Sequence, residues 1–516
     1  MGGLVMTTQN QNAVVYFLDR HAEGTRAQHP AFIEIGDAGR QRSYGELAAD
    51  TARVAGMLHE HGVQPGARAA LIALDTIEFP AIFWGAMRAG VVPVPLNTLL
   101  TAEYYEIILN DAGAEVLFVS EALAAMIVPL RPRLPALKTV FVIGAAPVGM
   151  VAFADAFRAA SPRPIPHHAS ADDTAFWLYS SGSTGKPKGV MHRHGAIKAT
   201  TDTFAAQVLG VHPDDVMLSA AKLYFAYGLG NAMTFPMSVG ATAALLAGRP
   251  TPDTMLSAFA AVKPTIFYSA PTLYAAIIAA AHGNHPHGLE RLRFCSSAGE
   301  ALPREIGESW KRLTGVDIVD GVGSTEMLHV FLANAPDNVV YGTAGVAVPG
   351  YELRLVDDHG ADVAQGEIGE MLVKGPSTAQ GYWNQPEKTH ATFQGEWTRT
   401  GDKYERAAEG RYIYCGRTDD MFKVSGIWVS PFEVEQALVS HPAVLEAAVV
   451  AARDENNLEK PKAFVVLKGA ATPDLVEALK AHVKASIGAW KYPRWIEVVP
   501  DLPKTSTGKI QRFKLR

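Results

Sequence analysis

Tyr179-Ser180-Ser181-Gly182-Ser183-Thr184-Gly185-Lys186-Pro187-Lys188-Gly189 is a loop built to face an anion. Its glycines let backbone N–H groups turn toward a phosphate, Ser and Thr add hydroxyl donors, and the lysines add positive charge. Residues 174–179, Thr-Ala-Phe-Trp-Leu-Tyr, read as a buried strand, so the loop leaves the edge of a sheet. A G-x-x-x-x-G-K-[ST] P-loop cannot be laid over it, and Pro187 intervenes after Lys186, where that pattern needs Ser or Thr. Read alone, the same composition also makes an ordinary surface turn.

Working outward, 516 residues exceed what a single core accommodates, so several domains are expected. The chain is 48% hydrophobic and 19% charged, with a net charge of −6. That mild acidity argues against nucleic acid and anionic membrane surfaces as partners. Cys295 and Cys415 lack metal-ligand spacing and read as reduced, buried small hydrophobes. The opening Met-Gly-Gly-Leu-Val-Met-Thr-Thr lacks signal-peptide regions, and Met6 stands where myristoylation wants Ser or Thr. No apolar run approaches the ~20 residues needed to span a bilayer. The expectation is a cytoplasmic enzyme. The composition fixes no oligomeric state and is compatible with a homodimer.

Strands and helices alternate upstream of the loop: strands at 69–74, 91–95 and 115–120, helices at 79–89 and 102–112. This rhythm predicts α/β layers with parallel strands. A second round starts near Thr174 and continues through strands at 264–269 and 293–297, which end in small residues. Ligands of open α/β sheets bind beyond such strand ends. From about Gly342 the texture shifts to short strands at 352–356, 369–373 and 412–415 between Gly, Asp and Pro turns, a small β-rich subdomain. After Gly416-Arg417-Thr418-Asp419-Asp420 the chain restarts as an α+β unit. Ser430 is its N-cap, Pro431 its N1 residue and Glu433 an early-turn acid. Strands at 444–451, 462–467 and 495–499 and a helix at 474–487 complete it.

Further motifs stand at strand ends and turns. Ser297-Ala298-Gly299-Glu300-Ala301 is small enough to let a planar ring approach the backbone, and Asp320-Gly321-Val322-Gly323-Ser324-Thr325-Glu326 ends another strand. Thr400-Gly401-Asp402 places an acid in a turn, suited to a ribose diol, with Arg417 as a nearby cation. Pro503-Lys504-Thr505-Ser506-Thr507-Gly508-Lys509 reads as a loop. Taken singly, each also fits ordinary surface charge.

Together, from Ser43-Tyr44-Gly45-Glu46-Leu47 to Lys509, these motifs resemble the acyl-adenylate-forming (AMP-binding) superfamily. The resemblance implies a large N-terminal domain (1–416, with about 342–416 as its β-rich part), a hinge (417–420) and a small mobile α+β C-terminal domain (421–516). It also implies ATP, Mg²⁺ and coenzyme A. By position, the loop Ser181 to Lys188 matches the pyrophosphate-handling loop, with Ser181, Gly182, Ser183, Thr184, Gly185 and Lys186 as its ATP-binding residues. Gly299, Glu300 and Ala301, with Asp320, Gly321, Val322, Gly323 and Thr325, match adenine and phosphate contacts. Glu326 matches the Mg²⁺ acid, Asp402 the ribose acid, Arg417 the phosphate- and ribose-side arginine, and Lys509 the catalytic lysine. Thr184 and Glu326 join Lys509 as candidate catalytic residues. Asp419 matches the hinge residue, and Ser425 and Gly426 match a pantetheine tunnel, where a side chain would obstruct the channel.

The chemistry implied is activation of a carboxylate, whose oxide is a poor leaving group. Attack on the α-phosphorus of ATP expels pyrophosphate, and a thiol then displaces AMP. Charge develops on phosphate oxygens, so cations and N–H donors must converge there. Lys222-Leu223-Tyr224-Phe225-Ala226-Tyr227-Gly228-Leu229-Gly230-Asn231 and Met327-Leu328-His329-Val330-Phe331 resemble the benzoate-CoA ligase group. So do Phe79-Pro80-Ala81-Ile82-Phe83-Trp84-Gly85 and Val92-Pro93-Val94-Pro95-Leu96-Asn97-Thr98. Phe225 takes the gating aromatic position, and Ala226, Tyr227, Gly228, Gly323, His329 and Val330 are the candidate aryl-binding residues. A flat pocket with small residues opposite an aromatic wall suits a benzene ring and excludes a long fatty chain. Benzoate ligases often carry isoleucine at the Val330 position, so the shorter side chain here leaves room for a ring substituent.

Three functions are compatible with these residues. The first is an aryl-CoA ligase for benzoate or a small substituted benzoate, with 4-hydroxybenzoate as the alternative acid. The second is a stand-alone aryl-acid adenylating enzyme loading a carrier protein. The third is a non-enzymatic binder of an aromatic acid. Pro503 to Lys509 also fits a P-x-x-x-x-G-K pattern recognised by lysine acetyltransferases that act on such ligases, which makes Lys509 a modification candidate.

Overall fold

A computed structural model of the chain describes residues 10–36, 39–181, 187–424, 427–455, 458–488, 491–504 and 510–516. The first α/β layer carries a wholly parallel sheet in the order Val92–Pro95, Arg68–Ile72, Val116–Ser120, Thr139–Ile143, Val151–Ala152. Val92–Pro95 and Val116–Ser120 are buried at every position, as sheets covered on both faces require. The 102–112 helix forms as read, Ala102–Ala112, and Gly113 ends it with φ 56°. The helix Tyr44–Glu60 starts on a reciprocal cap. Ser43 Oγ accepts from Glu46 N at 3.2 Å, and Glu46 Oε2 accepts from Ser43 N at 2.8 Å.

Among the described residues the second layer is a nine-stranded sheet. Its parallel centre runs Pro30–Glu34, Thr242–Leu245, Val216–Ser219, Ile266–Ser269, Phe294–Ser297, Ile318–Gly323. Antiparallel strands close both edges, Gln41–Ser43 at one and Val330–Ala333 with Val346–Ala347 at the other.

Two expectations are corrected here. The strand Thr174–Ser181 does not open a parallel round. It pairs antiparallel with Pro187–Arg193, which pairs in turn with Gly381–Tyr382. The glycine-rich segment therefore joins the arms of a hairpin, because a buried apolar run reads the same in either pairing. Asp402 lies not in a turn but inside the strand Trp397–Arg406. The misleading glycine, Gly401, sits in that strand at φ 71°.

The β-rich part packs Glu352–Val356, Ile368–Lys374, Trp397–Arg406 and Tyr412–Arg417 antiparallel. The C-terminal α+β unit follows. Ser430 Oγ accepts from Glu433 N at 3.1 Å and caps Pro431–Val439, with Pro at its start. That helix and Leu475–Ile487 cover Val444–Arg453, Glu459–Leu467 and Trp495–Val498, burying Val434, Leu438, Val449, Val465, Leu479 and Val483. The mixed α/β class, with a β-rich part and a C-terminal α+β unit, is the one the sequence predicts.

Candidate active site

The parallel strands Val216–Ser219, Ile266–Ser269, Phe294–Ser297 and Ile318–Gly323 end along one edge. The segments that follow them gather one wall of the site, as the topology of open sheets dictates. Phe225 precedes the short helix Ala226–Leu229, and the Tyr227 hydroxyl donates to Ser296 Oγ at 3.1 Å. Burial first of all pushes the Tyr227 hydroxyl well above the usual tyrosine range. Beyond Gly323 the chain folds through a narrow turn in which Ser324 Oγ accepts from Met327 N and Leu328 takes φ 63°. A Cβ on Gly323 would stand 2.6 Å from the His329 carbonyl oxygen, so only glycine fits that approach.

This turn drives His329 inward. Its ring lies 4.4 Å from Phe235, 5.6 Å from Tyr227 and 5.7 Å from Phe204, centroid to centroid. Phe204 and Gly230 belong to wide, π-type helical stretches, Thr201–Val208 and Gly230–Thr234, a geometry frequent at functional sites. His329 Nε2 stands 3.3 Å from the Tyr227 carbonyl oxygen. A carbonyl only accepts, so Nε2 carries the proton and Nδ1 is left as an acceptor. Nδ1 is buried and without a partner among the described residues. Burial lowers the imidazole to about 3, so the ring is neutral near pH 7. Gly230 makes this seat: a Cβ there would stand 2.3 Å from His329 Cδ2. Val330 is buried, with Cγ1 3.0 Å from where a Cβ on Gly321 would be.

Asp320 lies beneath Gly299–Ala301. Its Oδ2 accepts from Leu302 N at 3.4 Å, while buried Oδ1 has no partner among the described residues. Burial raises this carboxyl to about 8. Gly299 takes φ 93°, and Glu300 and Gly323 remain accessible beside it.

A second cluster is charged. Asp402 and Arg417 are direct partners across the antiparallel ladder, with Arg417 Nη1 3.1 Å from Asp402 Oδ1 and 3.2 Å from the Thr400 carbonyl. Glu326 Oε1 accepts from the Tyr382 hydroxyl at 2.8 Å, and Lys188 Nζ donates to that hydroxyl at 3.2 Å. Lys188 also lies 3.7 Å from Glu326 and 4.3 Å over the Tyr382 ring. Its ammonium is held below the usual lysine range, by burial first, against the pull of Glu326, with Lys388 and Arg417 adding repulsion. Arg417 and Lys188 thus point charge into one region.

The structure therefore brings Tyr227, His329, Val330 and Gly323 together in one cluster; Asp402 pairs with Arg417, and Lys188 feels both Arg417 and Glu326 in a second. Asp419 lies in the turn after Tyr412–Arg417, its carbonyl accepting from Arg516 at 3.1 Å. Ser181 ends its strand. Gly182, Ser183, Thr184, Gly185 and Lys186, Ser425 and Gly426, and Lys509 lie outside the described residues. Around residues 505–509 the described chain is tied. Lys504 bridges Ile510, Gln511 N donates to the Pro503 carbonyl at 2.7 Å, and Lys504 Nζ meets both Glu446 oxygens at 2.7 and 2.8 Å. Sequence reasoning missed Tyr382 and Ser296, and it quoted Gly230 within the substrate-side segment without giving it a role. The only cue to Tyr382 is an aromatic pair after a glycine, Gly381-Tyr382-Trp383, and Ser296 carries no cue at all.

Comparisons with known proteins agree on one grouping. The AMP-binding enzyme family matches residues 18–383, and the AMP-binding enzyme C-terminal domain matches residues 433–509. A 4-hydroxybenzoate–CoA/benzoate–CoA ligase of Rhodopseudomonas palustris is 52% identical over 99% of this chain and 95% of its own length. A benzoate–CoA ligase of Thauera aromatica is also 52% identical, over 94% of this chain and 92% of its own. The crystal structure of an anthranilate CoA ligase in complex with anthranoyl-AMP superposes with a TM-score of 0.94 at 41% identity, covering 99% of this chain and 97% of that one. With both halves of the family matched in order over almost the full length, the chain belongs to the AMP-binding enzymes.

Proposed function

We propose that this enzyme is an aryl-CoA ligase that converts benzoate, or a small substituted benzoate, to its CoA thioester through an aryl-adenylate. The observation that carries this reading is the neutral, apolar seat around His329 beside a cationic wall, in a chain half identical to benzoate–CoA ligases. The ring enters between Phe225, Ala226 and Tyr227 on one side and Gly323, His329 and Val330 on the other. Its carboxylate attacks the α-phosphorus of ATP, and the P–O bond to pyrophosphate breaks. The CoA thiol then attacks the acyl carbon, AMP leaves with the bonding pair, and the thiol proton passes to solvent.

On this reading Asp402 holds the ribose hydroxyls and Arg417 faces phosphate and ribose. The unpartnered Asp320 Oδ1 fits an amine donor such as that of adenine. Glu326, with one oxygen turned to Tyr382, keeps acceptor sites that would hold a hard cation such as Mg²⁺. When bound, Mg²⁺ would neutralise charge on the leaving pyrophosphate. Ser181 to Lys186 cradle pyrophosphate, and Lys509 guides the attacking carboxylate to the α-phosphate. Residues 1–416, 417–420 and 421–516 act as adenylating domain, hinge at Asp419, and mobile domain whose Ser425 and Gly426 line the pantetheine path. Acetylation of Lys509 would remove its charge and with it adenylation. No helix among the described residues is long and apolar enough to cross a membrane.

One observation favours a second acid. A bare Nδ1 acceptor on His329 suits a ring bearing a hydroxyl donor, which supports 4-hydroxybenzoate as an additional substrate. Both acids are tested by kcat/KM for benzoate and its monosubstituted forms, with AMP and aryl-CoA measured together and a carrier protein replacing CoA in a parallel arm. Benzoyl-CoA with equimolar AMP is the expected product. Acyl transfer confined to the carrier would overturn the CoA reading, and failure to release pyrophosphate with any aryl acid would overturn the enzyme reading.

A further inference from the structure

The segment carrying Phe225, Ala226 and Tyr227 is anchored by a buried carboxylate from a different sheet. Asp75 follows the strand Arg68–Ile72 and is 4% exposed. Both of its oxygens lie 3.3 Å from Leu223 N. The Lys222 ammonium stands 3.9 Å from Asp75 Oδ2 and donates to the carbonyls of Leu246 and of Gly248, the latter at 2.6 Å. Residues 222 and 223 are thereby tied to the loop after one strand of the first sheet and the loop after one strand of the second.

The tie is passed directly to the aryl wall. Phe225 N donates to the Lys222 carbonyl at 3.0 Å, and Leu229 N donates to the Phe225 carbonyl at 2.8 Å. A Cβ on Gly228 would stand 2.1 Å from the Lys222 oxygen, so the helix Ala226–Leu229 sits hard against the anchored backbone. A buried carboxylate shared between one N–H and one ammonium is costly unless both partners stay in place, which makes it a sensitive register for this turn.

We infer that Asp75, through Lys222 and the Leu223 amide, is a positioning residue that sets where Phe225 and Tyr227 stand against the aromatic acid, and that its charge is part of that function. The inference rests on the proposed aryl pocket at residues 225–227. Lys222 is the charged group whose field reaches Asp75, and Tyr224 is the other titratable neighbour. Glu34, Arg40 and Glu78 pair among themselves around Thr76 and Ile77. Burial raises the Asp75 carboxyl to about 6, with Lys222 and the Leu223 amide pulling it back. The anchor is therefore ionised at neutral pH and becomes protonated as pH falls through that value.

The test compares wild type with Asp75→Asn, which keeps an oxygen for the Leu223 amide and loses the charge, and with Asp75→Ala, which loses both. At about pH 7.5 the Ala variant should raise KM for benzoate roughly tenfold or more with KM for ATP within about twofold, and the Asn variant should fall between. As pH drops to about 5.5 the wild type should converge on the Asn variant, so their KM ratio for benzoate approaches one. Should Asp75→Ala fail to fold, the Asn pair across pH carries the test alone. Equal rises in both KM values, or an Asn-to-wild-type ratio that does not change with pH, would overturn the inference. Wild-type turnover of benzoate is read in the same experiment, so its absence would count against the proposed function rather than against Asp75.

Discussion

The two walls of the site differ in what burial does to their charge. On the aryl wall His329 is lowered to about 3, and next to it, beneath Gly299–Ala301, Asp320 is raised to about 8, so both groups are neutral near pH 7. On the phosphate wall, Asp402 and Arg417 face each other as a partly exposed ion pair, and Lys188 stays beside Glu326. The same solvation physics produces both outcomes. A lone buried ion gives up its charge, whereas a paired and half-solvated one keeps it. On the proposed function, a site assembled this way offers fixed charge to the phosphates and an uncharged surface to the ring.

That contrast predicts that damage separates by half-reaction and by ligand. If Lys509 guides the carboxylate as proposed, Lys509→Ala should lower adenylate formation about 10²-fold or more. Conversion of supplied aryl-adenylate to thioester should be largely retained, and equal loss in both half-reactions would refute the division. Gly230→Ala strikes the neutral wall. The new methyl displaces the His329 ring from the Tyr227 carbonyl, so a loss of about 1–3 kcal/mol in unfolding free energy is expected, with KM for benzoate rising more than KM for ATP. An unchanged Tm and unchanged benzoate KM would show that His329 is not seated by this glycine. Val330→Ile should have the smallest effect, a shift of ~1 kcal/mol toward plain benzoate over substituted benzoates in the ratio of kcat/KM values. A constant ratio would remove the steric explanation for that position.

How much of this could be read from the chain follows from the range of each interaction. The helix Ala102–Ala112 and the strand Glu352–Val356 were readable to the residue, because periodicity and flanking turn residues are local. The Ser430 cap and Pro431 start were equally visible. Strand pairing was not. Pro30–Glu34 joins Thr242–Leu245 across some two hundred residues, and nothing in either strand names its partner. The hairpin around the glycine-rich loop was hidden for the same reason, and Asp402 was displaced into a turn by a glycine that the strand in fact tolerates.

The site divides likewise. Candidate residues such as Glu326, Asp402 and His329 were singled out by their neighbours in sequence. Their partners were not: Tyr382 reaches Glu326 across 56 residues, Ser296 meets Tyr227 across 69, and Asp75 holds Leu223 across 148. These contacts belong to the tertiary fold, and side chains that merely hold others in place carry no local signature.

The most direct test of a charged wall for activation and a neutral wall for the ring is single-turnover chemistry without thiol. Enzyme mixed with benzoate, ATP and Mg²⁺ in the absence of CoA should accumulate benzoyl-AMP at a level stoichiometric with enzyme, seen by mass spectrometry of the quenched mixture, together with pyrophosphate. Addition of CoA should then convert it to benzoyl-CoA and AMP. Pyrophosphate release with no aryl-adenylate trapped, or an adenylate formed equally well from a long fatty acid, would contradict the account.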